Sequence, residues 1–550
     1  MLKEKIKKLV EDSLFCLKDD SCKAPEKIEI VVKYPPKEEY GDYSVILRED
    51  LAKEVLEKIN RKKPSFLEKV EFLPPSFLNF YIKKDYLQKE ILKILKEKEN
   101  FGKLNIGKKK KVNVEFISAN PTANLHIGNG RGAFFGDVLA NVLSFSGFKV
   151  VKEYYVNDAK NSNQIIELGK TGCGDGKTYL TEDLKLKIKK HKAKIKKILQ
   201  KAETKEEAYK EVGYLLAKEI LKDIKDFAEK KLKIKFDRWF FEQKDLIEKG
   251  EIEKTLNLLK KKNLVYQKEG ALWLKTSKYG DSQDWVIVRQ NGQPTYFLSD
   301  IAYHKNKIER GFKKIINIWG ADHQGHVRKM KAAMKALGYK GDFEILITQI
   351  VNLKGGEKMS KRKGNIIFLE DLINEVGLDV ARYFYISKSL SSQIEFDLNL
   401  AKEHSEKNPV YYIQYSYVRA QSIIKKAKIK VNKQANLNLL NHPSEIRLIK
   451  KLLKFPEIIE DTSKDFQIHR LAEYGKDLAS VFNQFYRDCR VILDNSRIKT
   501  NKNRMFEGNQ RLYDKNLRNL MEARLSLVLA TKIVFSILLS LIGISAPKKM

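Results

Sequence analysis

An apolar run, "KKVNVEFI" (residues 110–117), leads into the proline- and glycine-marked stretch "SANPTANLHIGNGRG" (118–132), and "GAFFGDVLANVLSFSG" (132–147) follows with helical spacing. A buried strand, a glycine loop and a helix in that order constrain the chain to a βα unit. Such units build parallel sheets whose ligands sit beyond the carboxyl ends of the strands. "FKVVKEYYVND" (148–158) reads as the next strand, and "PTYFLSDIAYH" (294–304), "KIINIWGADHQGH" (314–326) and "FEILITQIVNL" (343–353) resume the alternation. Between them, residues 172–280 look like a lysine-rich, solvated helical insertion, with strand signals returning only afterwards.

The flanking regions differ. Residues 1–107 mix extended ("IEIVVKY") and helical ("REDLAKEVLEKI") patterns, which predicts an α+β N-terminal domain. Residues 108–345 carry the parallel-sheet domain and 346–404 a connecting region. From 405 to 550 the strand signals vanish and an all-α bundle is expected. The fold class expected is therefore multidomain α/β, with a Rossmann-like parallel sheet at its centre. At roughly 150 residues per domain, 550 residues suggest three to five domains.

Charge narrows the partners. The chain has 107 Lys+Arg against 71 Asp+Glu, a formal net charge of +36, and such a field attracts polyanions, nucleic acid first among them. A general lysine bias is the plainer alternative. The four cysteines, Cys16, Cys22, Cys173 and Cys489, form no CxxC pair, so neither a disulfide framework nor a structural zinc site is expected. The stretch "LSLVLATKIVFSILLSLIGI" (525–544) is interrupted by Lys532 and three serines, and a buried core helix is expected rather than a membrane span. The expectation is a cytoplasmic chain, monomeric and without a membrane partner.

Two loops carry nucleotide chemistry. In the first, Pro121 marks the turn, Gly128 and Gly130 allow close backbone approach, and the helix start favours phosphate. His126 can donate to phosphate oxygens, and Asn129 lies beside it. The second is "GGEKMSKRKGN" (355–365), where glycines flank Lys358, Met359, Ser360, Lys361, Arg362 and Lys363. A mobile basic loop of this kind can close over a triphosphate and stabilise departing pyrophosphate.

Together, about 230 residues apart and in this order, the two loops resemble the HIGH and KMSKS signatures of class I aminoacyl-tRNA synthetases. "VEFISANPT", "EYYVNDAKNSNQI", the long segment from "GALWLKTSKYGD" to "SDIAYHKNKIERGF", "WGADHQGH", "KMSKRKGN", "YGDYSV" and the terminal "SLIGISAPKKM" resemble bacterial-type arginyl-tRNA synthetases. The resemblance implies ATP, L-arginine and a tRNA as substrates, Mg²⁺ on the ATP phosphates, and activation that depends on bound tRNA. It implies that His126, Asn129, Lys358 and Lys361 are catalytic, with Pro121, Gly128, Gly130, Met359 and Ser360 holding ATP. Glu115, Ser118, Asn120, Tyr296 and Asp300 would hold arginine, Ser118 and Asn120 at its head and Tyr296 and Asp300 at its guanidinium. Asn157 and Asp158 end a strand toward the same crevice, and Asp322, His323 and Gln324 would meet arginine or adenosine.

The chemistry of the substrate agrees. A guanidinium is planar with five donors and needs carboxylates in a fixed arrangement, and Tyr296 and Asp300 are spaced i,i+4, on one helical face. Two departures from the signature stand out. Ala123-Asn124 replaces its usual Gly-Pro, and Asn129 replaces its final histidine. In the C-terminal helices Tyr411, Tyr415 and Arg419, then Phe485, Arg487 and Arg490, interleave aromatic and basic residues as base-stacking surfaces do. A helical core stripe is the plainer reading of the same spacing. Three alternatives share parts of the pattern: a cysteine- or methionine-specific synthetase, a non-catalytic tRNA-binding paralogue, and a small-molecule adenylyltransferase.

Overall fold

In the computed structural model, the described residues are 1–15, 29–354, 367–427, 434–492 and 507–550. A five-stranded sheet forms the centre. Its strands are β1 (Lys111–Glu115), β2 (Lys149–Val156), β3 (Arg238–Phe241), β4 (Lys314–Gly320) and β5 (Asp342–Thr348). They lie in the order β5-β4-β1-β2-β3, and every neighbouring pair is parallel. The order reverses between β1 and β4, so a crevice opens at their carboxyl ends. Val112 and Val114 of β1 are fully buried, as expected of a strand covered on both faces.

Helix α1 (Ile127–Phe145) follows the glycine loop and is buried along nearly its whole length. Three cations, Arg131, Arg382 and Lys152, tie it down. The Arg131 guanidinium donates to the carbonyls of Tyr385 (2.8 Å), Ser392 (3.1 Å) and Ser389. Asp137 accepts from Arg382 (2.5 Å) and Lys152 (2.6 Å), with Arg382 1% exposed. Burial opposes ionisation of Asp137, but the two cations hold its carboxyl below the ordinary range.

The lysine-rich region departs from expectation. Helices α2 (Asn163–Cys173), α3 (Glu182–Lys190), α4 (Lys192–Lys201) and α5 (Lys205–Asp226) form the crossover between β2 and β3, so strands resume by Arg238 and not after 280. Val265–Lys268, Ala271–Leu274 and Trp285–Val288 then make a separate three-stranded antiparallel sheet. Four-residue strands are too short for periodicity to reveal, and helix-favouring lysines surround them. Helix α6 (Tyr296–Glu309) returns the chain to the central sheet.

Among the described residues, the N-terminal region is α+β, with a four-stranded antiparallel sheet and three α-helices, Leu2–Phe15, Glu49–Arg61 and Lys84–Glu97. It docks on the C-terminal helices through Glu457, which accepts from Tyr34 (2.5 Å) and Tyr43 (3.1 Å). The C-terminal region is helical, including α7 (Pro409–Ala427), α8 (His469–Asp488) and α9 (Glu507–Ile542). By length and composition α9 could cross a membrane, but Leu527, Val528, Val534, Phe535 and Leu538 are fully buried within the protein.

Removing Asp137 would leave the Arg382 guanidinium buried without its carboxylate. Asp137→Ala is expected to lower the unfolding free energy by about 3–5 kcal/mol, measured by chemical denaturation, and an unchanged midpoint would contradict that role.

Candidate active site

Where β1 ends, the backbone turns through Ile117 (φ 67°) and Ser118 (φ 41°). A β-branched residue in the left-handed region is strained, and such strain persists where the surroundings hold it. The kink places the Ser118 hydroxyl between Glu115, to which it donates (3.1 Å), and the Tyr155 amide, from which it accepts (3.1 Å). Beyond it, Asn120 Oδ1 accepts from Asn157 (2.9 Å), joining the ends of β1 and β2.

His126 is the N-cap of α1. Its Nδ1 accepts from the Gly128 amide (3.1 Å), and the Asn129 side-chain carbonyl accepts from the His126 amide (2.9 Å). This capping box explains the asparagine: a short side chain with a fixed acceptor closes the first turn. Because Nδ1 accepts, the neutral ring carries its proton on Nε2, which is left able to donate. Desolvation holds the imidazole below its ordinary value, which favours the neutral ring. A Cβ at residue 128 would lie 2.8 Å from the His126 ring, and one at residue 130 would lie 2.9 Å from Leu369 and Tyr385, which accounts for both glycines. Pro121 is buried at the base of the turn.

The loop is strapped to a distant segment. Ile127 donates to Ile367 (3.0 Å), Leu369 donates to Leu125 (2.9 Å), and His126 forms a bridge with Phe368. Residues 355–366, which include Lys358, Met359, Ser360 and Lys361, lie outside the described residues, but the chain leaves that segment against the His126 loop.

On the other side of the crevice, carboxylates crowd together. Asp300 on α6 is partly open to the cleft. Its low-dielectric surroundings and then the Glu115 charge push its carboxyl up to about 7, against the pull of Lys329. Glu242, 4% exposed at the end of β3, is pushed up to about 8 by burial and then by Asp300 and Asp158. Asp158, raised to about 6 chiefly by burial, accepts from the Gln243 amide (2.9 Å). Tyr296 is 50% exposed, its hydroxyl 3.4 Å from both the Asn163 amide and Gln164. Glu115 is already engaged: Oε2 pairs with the fully buried Lys307 (2.6 Å) and Oε1 takes the Ser118 hydroxyl. Sequence reading missed Glu242 because β3 was hidden; a recognised parallel strand would have drawn attention to its carboxyl end.

Asp322, His323 and Gln324 occupy an exposed turn after β4, with Asp322 and His323 paired at 3.4 Å. On the helical region, the Tyr411 and Tyr415 rings stack 6.0 Å apart at 8°. The Arg419 guanidinium lies 4.6 Å from the ring centres of Tyr415 and Tyr486. Arg487 and Arg490 are exposed. Phe485, expected on that surface, is instead fully buried against Phe482, because its position on α8 faces the core.

The parallel sheet, the capped glycine loop and the all-α C-terminal region together define a class I aminoacyl-tRNA synthetase. Residues 90–394 match the family model "tRNA synthetases class I (R), catalytic domain". Residues 1–82 match "Arginyl tRNA synthetase N terminal domain" and residues 413–550 "DALR anticodon binding domain". Among curated proteins, the chain is 42% identical to an arginine–tRNA ligase from Carboxydothermus hydrogenoformans, over 88% of this chain and 86% of that protein. It is 39% identical to one from Caldanaerobacter subterraneus, over 100% and 99%. The solved Thermus thermophilus arginyl-tRNA synthetase has the same fold, with a TM-score of 0.76 at 22% identity over the full length of both chains. This chain belongs to the arginyl-tRNA synthetase family.

Asn129→Ala removes the acceptor for the His126 amide. It is expected to cost about 1 kcal/mol of stability and to slow arginine-dependent pyrophosphate exchange, since His126 loses its support. Exchange at the wild-type rate would show that the capping box does not hold His126 for catalysis.

Proposed function

We propose that this protein joins L-arginine to the terminal adenosine of its cognate tRNA in two steps at the carboxyl edge of the sheet. The arginine carboxylate attacks the α-phosphorus of ATP in line, giving arginyl-adenylate and pyrophosphate. A hydroxyl of the tRNA then takes the arginyl group and AMP leaves. The observation that carries this reading, within this family, is the crowded pair Asp300 and Glu242. The Asp300 charge that opposes ionisation of Glu242, and the Glu115 charge that opposes ionisation of Asp300, are offset by a cation, and a planar guanidinium offers donors suited to carboxylates.

Tyr296 adds a hydroxyl at the same end, while Glu115, Ser118 and Asn120 take the amino-acid head. His126 donates from Nε2 to phosphate oxygens. Asn129, with Oδ1 committed to the cap, keeps only amide protons to offer. Pro121, Gly128 and Gly130 let the nucleotide approach the backbone, and Lys358, Met359, Ser360 and Lys361, as the family signature implies, meet its phosphates. The two lysines supply the charge that an asparagine at 129 cannot. Asp322, His323 and Gln324, on the exposed turn after β4, would meet arginine or adenosine. The nucleotide loop, residues 119–132, carries no carboxylate, which suits Mg²⁺ held chiefly by ATP phosphates and water. Tyr411, Tyr415, Arg419, Arg487 and Arg490 form the anticodon-facing surface. The reading is of a cytoplasmic monomer, with its long apolar helix turned inward.

Incubated with total tRNA and each amino acid in turn, the purified protein is expected to charge tRNA with arginine alone; charging with another amino acid, or none, contradicts the reading. Asp300→Ala should raise the arginine KM roughly tenfold to a hundredfold, the loss of one charge-assisted partner, and leave the ATP KM within about twofold. An unchanged arginine KM would remove Asp300 from the pocket.

A further inference from the structure

We propose that Lys307 is a positioning residue for arginine recognition, holding Glu115 in the orientation that receives the substrate's head. The proposal rests on the arginine site assigned above and concerns a side chain that cannot reach the substrate itself.

Lys307 lies two turns beyond Asp300 on α6, with its ammonium completely buried. Nζ donates to Glu115 Oε2 at 2.6 Å and to Asn317 Oδ1 at 2.9 Å, and lies 4.4 Å from the centre of the Tyr303 ring. Three acceptors therefore surround three N–H donors. The Asn317 amide has only one orientation consistent with its neighbours. With Oδ1 facing an ammonium, its Nδ2 must donate to His304 Nε2 (2.6 Å). His304 then carries its proton on Nδ1 and donates to the Asp300 carbonyl (2.7 Å). Burial keeps the His304 ring neutral, as this chain of donors requires. Lys307 thus donates in both directions, to Glu115 on one side and, on the other, into a relay through Asn317 and His304 to the turn carrying Asp300.

The pairing is also dedicated. Arg310, immediately after α6, is committed to Glu153, with contacts of 2.5 and 2.8 Å. Glu115 is therefore fixed at Oε2 by Lys307 and at Oε1 by Ser118, and each oxygen keeps lone-pair capacity directed elsewhere. As stability alone, a buried ion pair is commonly matched by hydrocarbon of similar volume. In a pocket for a cationic amino acid, hydrocarbon could not provide an oriented carboxylate.

The test is a double-mutant cycle of Lys307→Met and Glu115→Gln, read on the arginine KM in tRNA-dependent pyrophosphate exchange, with the ATP KM and melting temperature measured alongside. A residue that acts through Glu115 has no effect once Glu115 is altered. Lys307→Met is expected to raise the arginine KM at least about tenfold in the wild-type background and by less than about twofold in the Glu115→Gln background. The same factor in both backgrounds, or a loss of active fraction with the arginine KM unchanged, would overturn the positioning role. Failure of Glu115→Gln itself to change the arginine KM would show instead that Glu115 lies outside the arginine site. Should Lys307→Met prove insoluble, Lys307→Arg carries the same comparison, since it keeps the charge but changes the geometry. It should raise the arginine KM at a near-normal melting temperature, and a normal KM would overturn the proposal.

Discussion

In a low-dielectric crevice, burial and the Glu115 charge resist the ionisation of Asp300, and burial and the Asp300 and Asp158 charges resist that of Glu242. Their folded-state values, about 7 and about 8, lie above those of the unfolded chain. The stability they contribute is present in acid, below the unfolded values, and is lost as pH rises through 7 to 8. As pH rises through this range the pocket gains uncompensated negative charge, which a bound guanidinium would relieve. In the proposed arginine site, repulsion retained in the free protein would favour a cationic substrate.

The scaffold keeps this arrangement by anchoring everything around it. Asp137 and Arg131 fix α1 from below, the Ile117–Ser118 kink sets the end of β1, and residues 367–369 strap the nucleotide loop to the far side of the crevice. Asn129 takes its meaning from the same economy of contacts. It closes the helix start and supports His126 through the backbone, leaving positive charge to residues elsewhere.

Much of this was legible before any coordinates. The βα unit was visible because an unbroken apolar run, a glycine turn and a helical period occur in direct succession. Tyr296 and Asp300 could be paired because four residues make one helical turn, and the inward-facing α9 because a lysine and serines break its apolar run. The features that escaped were non-local or short. β3 has four residues beside a lysine-rich stretch, so Glu242 at its end had no context. Lys307 and Glu115 are 192 positions apart, and only folding brings them to 2.6 Å. Phe485 shows the limit of composition: an aromatic beside arginines suits stacking on bases, but the rotation of α8 turns it into the core.

The account stands most directly on the protonation of that carboxylate pair. Calorimetric titration with arginine at pH 7, repeated in buffers of different ionisation enthalpy, measures the protons exchanged on binding. Protons released to the buffer at pH 7, with release fading toward zero above about pH 9 as the carboxylates are already ionised, is the expected result. No exchange, or proton uptake, at pH 7 would contradict it and leave arginine without the electrostatic partner inferred for it.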